Sequence, residues 1–166
     1  MALILKKNGN IDHSAHEALR HGIARSTHWP AVEREFVKAN PLCAVCANPK
    51  SAIQAHHIFP FHYCIALGRP DLELDFRNLI SLCETEKGKP AQDHHLLIGH
   101  LDNFKSSNVS VINDTVIFHG MSMTEIEASD IWLVKKNNKL KLLDEMSDVE
   151  KSAFRALMDS TFPLAA

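Results

Sequence analysis

Two consecutive histidines, His56 and His57, close the run Ile53-Gln54-Ala55-His56-His57-Ile58, in which apolar and polar residues alternate as in a short half-buried strand. Successive strand residues face opposite sides of a sheet, so the two imidazoles cannot coordinate one ion while the strand stays regular. One of them must serve another purpose. The doublet has company on both sides. A Cys-x-x-Cys at Cys43 and Cys46 precedes it, and a second short strand, Leu79-Ile80-Ser81-Leu82-Cys83, opens after Asn78 and is followed by His94-His95. In this order along residues 43–100, the three features together are far more specific than any one alone.

Composition narrows the chemistry. The chain contains four cysteines and no run of eighteen apolar residues, and its first residues, MALILKKNGN, carry their basic groups after a very short apolar stretch. A membrane span is excluded and a signal peptide argued against, so a reducing cytoplasmic setting is expected, with thiols serving as metal ligands or core residues instead of disulfides. A net charge of -2 argues against a nucleic-acid coat protein or repressor, whose affinity rests on excess Lys and Arg. An enzyme needs positive potential along one groove only, and a bound cation supplies part of it. Eleven histidines invite a search for metal sites, although His13, His16, His21 and His28 are too scattered to form one.

With 166 residues and 45% hydrophobic content, the chain suits one domain, 1–166. The pattern predicts a helix over 12–25, with Asp12 or Ser14 as cap, and another from Trp29-Pro30 to Ala39, stopped by Asn40-Pro41. A knuckle follows at 42–46, then the first strand. Pro60 to Asp75 reads as a long connection bending at Gly68-Arg69-Pro70, and Asp93 to Ile98 as a helix stopping near Gly99. Val109 to Phe118 reads as a hairpin turning at Asn113-Asp114. Further helices are expected near Thr124-Glu125 and after Ser147, where S-D-V-E forms a capping box.

Residues 41–104 resemble the core of an HNH nuclease of the ββα-metal class, with the His-His-Ile, Asn-Leu-Ile and late-His elements in that family's order. The resemblance implies an α+β fold: a small ββα-metal core with a zinc knuckle, an amino-terminal helical region over 1–40, and a carboxy-terminal extension over 105–166 made of the hairpin and helices. It implies a metal-dependent endonuclease that hydrolyses double-stranded DNA, in a phage or restriction-like setting. By the same resemblance His56 binds the catalytic ion (Mg, Mn, Ni or Zn), His57 is the general base, and Asn78 ties the loop after His57 to the second strand. His95 delivers the second ligand from the following helix. His100, five positions further on and beyond the same-face spacing of an α-helix, stays open between third ligand, phosphate contact and helix-end residue. Cys43, Cys46 and Cys83 would hold a structural zinc. His94 stands where the family commonly has a fourth cysteine, giving a Cys3His set.

Plainer readings stand beside these. A Cys-x-x-Cys alone often binds nothing, and Cys64 is left over as a thiol with no role. His62 reads as a loop residue, Lys135 to Lys141 as a solvated stretch or a DNA-backbone contact, and Trp29 and Trp132 as core. The rival function is a non-catalytic zinc module that binds nucleic acid or protein.

Overall fold

In the computed structural model of the chain, residues 23–86, 88 and 92–164 are described. The helix expected over 12–25 falls outside them except at its last three positions, which carry no helix. Helix α1 (Trp29–Ala39) starts with Pro30 in its first turn, where a missing N–H is harmless, and closes where the Asn40 backbone N–H and Nδ2 both donate to the Phe36 carbonyl. Its buried face, Trp29 and Phe36, packs on Ala55 and Leu79. Those two residues belong to a two-stranded antiparallel sheet of β1 (Ala52–His57) and β2 (Leu79–Glu84), in which His56 stands opposite Ile80 and His57 opposite Leu79.

Between the strands, the expected irregular connection contains helix α2 (Phe61–Ala66) and two 3-10 turns, Pro70–Glu73 and Phe76–Asn78. The segment after β2 is a single π-helical turn, His95–Gly99, in place of an α-helix. The regular structure of the carboxy-terminal part, among the described residues, is helical: α3 (Val111–Ile117), α4 (Met123–Glu127), α5 (Asp130–Asn137) and α6 (Asp148–Thr161). Both α4 and α6 begin with a complete capping box, Ser122 with Glu125 and Ser147 with Glu150. Among the described residues no helix is long and apolar enough to cross a membrane.

The hairpin expected over 109–118 is corrected to helix α3. Its β-branched run Val111-Ile112, Thr115-Val116-Ile117 suggested strands, but the buried positions are Val111, Asp114, Thr115 and Phe118, the i, i+3, i+4, i+7 stripe of a helix. Asp114 is tolerated inside because Asn108 Nδ2 donates to its Oδ2 and Lys135 Nζ pairs with its Oδ1. A buried carboxylate with two such donors is satisfied, so the polar residue marks no turn. Helix α5 then anchors through Trp132, whose indole N–H donates to the Leu97 carbonyl of the π turn at 2.9 Å.

One buried guanidinium fastens α6 to the rest. Arg69, 1% exposed, donates to Asp71, to Asp159 Oδ1 at 2.7 Å and to the Phe162 carbonyl at 2.9 Å. Arg69→Met removes all of these and leaves a buried carbonyl unpaired, so a loss of about 2–3 kcal/mol is expected. For a chain of this size that is a fall of roughly 5–10 °C in Tm, readable by calorimetry; a shift below about 1 °C would show that α6 docks without help from Arg69.

Candidate metal centres

The first cluster forms where the knuckle meets the end of β2. Cys43, Cys46, Cys83 and His94 place their ligand atoms within 4.8 Å of one another, close enough to hold a metal ion. Measured edges are 3.9 Å from Cys46 Sγ to Cys83 Sγ, 3.7 Å from Cys43 Sγ to His94 Nδ1 and 3.1 Å from Cys83 Sγ to His94 Nδ1. A tetrahedron with Zn–S near 2.3 Å and Zn–N near 2.05 Å has edges of about 3.8 and 3.6 Å, so the set has nearly the size of a zinc site. The knuckle holds its shape through Ala47, in the left-handed region at φ 49, whose N–H donates to the Cys43 carbonyl, and through Ala44, whose N–H donates to the Ser81 carbonyl of β2. The Val45 N–H points at Cys43 Sγ, 3.4 Å away.

The thiols share protons unequally. A hydrogen bond from Cys83, with a further one from His94, outweighs burial and pushes the Cys43 thiol down, while the same bond and burial push Cys83 up. A cation would favour the thiolate form of all three sulfurs. Cys64 stands apart: buried, with its Sγ directed at the Phe59 carbonyl and its pKa pushed up to about 12, first by burial. It remains a packed thiol.

The second cluster lies on one face of the sheet. His56 from β1, His95 from the π turn and His100 just after it have ring centroids 4.9–5.2 Å apart, and their ligand atoms also lie within 4.8 Å of one another. On an α-helix, residues five apart point about 140° from each other. Here the His100 N–H bonds back to the His95 carbonyl, the i to i+5 link of a π turn, and the wider turn brings His100 round beside His95. Outer partners fix two of the rings. His95 Nδ1 lies 3.2 Å from Glu84 Oε2, and His100 Nδ1 donates to the Ser106 carbonyl at 2.7 Å. A carboxylate or carbonyl behind the ring is how metal-binding imidazoles are usually oriented, with the other nitrogen turned to the ion.

His56 Nε2 is buried with no hydrogen-bond partner among the described residues, an orphan acceptor that a cation would satisfy. Burial, then the charges of His100 and His95, hold its pKa well below the usual imidazole value, so its lone pair stays available. His94 Nε2 is likewise buried without a partner.

His57 is not part of either cluster. It faces the opposite side of the sheet, its ring 4.5 Å from Trp29 and 6.3 Å from Phe61, 6% exposed. Its Nε2 donates to the Glu73 carbonyl at 2.8 Å, which leaves Nδ1 as the acceptor nitrogen of the neutral ring. Burial, then the Arg25 charge, push its pKa down to about 3. Beneath it Asn78, fully buried, joins the segment after His57 to the start of β2: its Oδ1 accepts from the Phe59 N–H at 2.8 Å, and its Nδ2 donates to the Phe59 and Leu72 carbonyls at 3.0 Å.

Sequence reasoning missed Glu84, Ser106 and the true task of Gly99. Glu84 could have been noticed as an acid on the same strand face as His56, four pairs along the ladder. Gly99, read as a helix stop, is a close-approach site: a Cβ there would lie 2.8 Å from His56 Cε1 and 3.1 Å from Leu82 Cδ1. Gly99→Ala therefore has to displace the His56 ring. Divalent-ion affinity at the three-histidine cluster is expected to fall about 10–100-fold, as when an outer partner of a ligand is lost, with zinc content of the cysteine cluster unchanged; calorimetric titration with nickel alongside metal analysis checks both. No family model, curated protein or solved structure matches this chain.

Proposed function

We propose that the protein is a metal-dependent endonuclease of the HNH type that hydrolyses DNA phosphodiester bonds. The observation that carries the reading is the convergence of His56, His95 and His100, with a His56 Nε2 that has no partner among the described residues and with Glu84 and Ser106 beside the other two rings. A divalent ion held there supplies positive charge at a phosphoryl oxygen and lowers the pKa of water. Three protein ligands leave coordination positions open, as catalytic sites require, whereas the four ligands of the Cys3His set close theirs. In this reading the cysteine cluster holds a structural zinc and fixes the phase of the π turn that follows it.

His57 is the base of the proposal. The Glu73 carbonyl sets its tautomer and Nδ1 is free to accept a proton, but a ring with a pKa near 3 takes one poorly. Burial is the first cause of that depression, so moving Trp29 and Arg25 aside would restore basicity together with access. The cover over His57, its depressed pKa and its place on the sheet face opposite the three-histidine cluster favour a second reading, a non-catalytic zinc module for nucleic acid or protein.

The two are separated by incubating supercoiled plasmid with the protein across magnesium, manganese, nickel and zinc. The nuclease reading expects nicking that depends on the added ion, with 5′-phosphate and 3′-hydroxyl ends that a ligase reseals. Absence of cutting with every ion, in protein carrying its full zinc complement, sinks it in favour of the module.

A further inference from the structure

Beside the three-histidine cluster stands an aromatic ring with one side in water. Phe104 is 44% exposed, and its centroid lies 5.0 Å from that of His100 and 5.8 Å from that of His95. Single exposed apolar residues are common on protein surfaces. This one is held in place at a conformational cost. Leu101 and Asp102, consecutive and neither of them glycine, occupy the left-handed region at φ 50 and 62, a conformation that costs most at the leucine. The turn is braced from several sides: Leu101 is buried, the Asp102 N–H donates to the Leu96 carbonyl, and Lys136 Nζ pairs with Asp102 Oδ2 at 2.7 Å. Asn103 Oδ1 accepts from the Lys105 N–H, and Ser106 donates to the Asn103 carbonyl through both N–H and Oγ. The same bracket supplies the carbonyl that orients His100. Lys105, next along the chain, is exposed.

We propose that Phe104 is a stacking platform for an unpaired nucleobase adjoining the phosphate addressed by the His56–His95–His100 cluster, so that the protein selects DNA with an open base face over fully paired duplex. The inference rests on the nuclease reading for the phosphate and adds the substrate class. Every base has a π-face, and a base–aromatic stack is worth about 1–3 kcal/mol, roughly 5- to 150-fold in affinity. In an intact duplex both faces of each base are already occupied by neighbours, and the platform has nothing to take. A lysine next to it in the chain contacts backbone phosphate without reading sequence.

The test uses the full zinc-loaded chain, as wild type, Phe104→Leu and Phe104→Trp, and three probes of equal length: single-stranded oligothymidylate, an abasic strand with the same phosphates, and a perfect duplex. Wild type is expected to bind the thymidylate strand roughly 10- to 100-fold more tightly than the abasic strand and more tightly than the duplex. Phe104→Leu should compress the first ratio to under about 3-fold, and Phe104→Trp should restore it, with indole fluorescence quenched by the thymidylate strand and not by the abasic one. A purely structural role for Phe104 would weaken all three probes alike and leave the ratio where it was, which overturns the proposal. Wild type with no preference for bases, or with tighter duplex binding, overturns it as well. Ion-dependent cleavage of circular single-stranded DNA, a substrate that satisfies the platform, reports on the parent reading separately. A base-dependent ratio without cleavage keeps the platform and removes the nuclease, and cleavage with an unchanged ratio does the reverse.

Discussion

Removing the ion from the cysteine cluster, by a strong chelator or by Cys83→Ser, is expected to lower Tm by 10 °C or more and to release one zinc per chain. Cys43, Cys83 and His94 are buried together, and the knuckle carrying Cys43 touches the sheet through few backbone bonds, among them Ala44 N–H to the Ser81 carbonyl. A structural zinc site contributes on the order of 10 kcal/mol in small domains, comparable with the whole stability of an ordinary one. Even half of that corresponds to roughly 10–20 °C for a chain of this length. The sign follows from the ligand set, because an ion held by four groups that only the folded chain brings together stabilises the folded state over the unfolded one. Metal analysis with calorimetry before and after chelation decides it. A preparation that contains no zinc and melts at the same temperature with chelator would end the structural-site assignment.

The second large effect concerns the histidines. His56→Ala and His95→Ala should each reduce ion-dependent plasmid nicking by about 100-fold or more and weaken nickel binding, since each removes one of three ligands. His57→Ala should reduce nicking by a similar factor with nickel affinity within about two-fold of wild type, since the ring lies on the other sheet face and loss of a general base costs about 10²–10⁴ in rate. Tm controls are needed because His57 fills space between Trp29 and Phe61; His57→Gln, which retains a donor for the Glu73 carbonyl, separates packing from chemistry. Nicking by His57→Gln at the wild-type rate would remove His57 from the mechanism and leave the three-histidine cluster as the centre.

Much of the core was readable because it depends on short-range patterns. Both strands lie within a residue of their expected ends, since alternation and the flanking turns set them locally. The separation of His56 from His57 follows from the same alternation, and the four residues of the cysteine cluster do come together. What was not readable depends on contacts made at a distance. The five-residue spacing of His95 and His100 looked wrong for one helix face, because nothing in the sequence announces a turn whose hydrogen bonds run from i to i+5. Only with Gly99 against the His56 ring does that wider turn have a packing reason. In α3 the stripe was hidden by its own chemistry: two of its four inward residues, Asp114 and Thr115, are polar, and Asp114 is acceptable inside only because Asn108 and Lys135 arrive from elsewhere. The cover over His57 comes from Trp29, 28 residues earlier in the sequence, and no local pattern could report it.

His94 and His95 are neighbours in the chain and members of different clusters. A single peptide unit therefore works as a common axle for two wheels. A re-seating of the His94 imidazole large enough to move the backbone is carried straight to the atom from which His95 hangs, so the two candidate centres are geared to each other at this one joint.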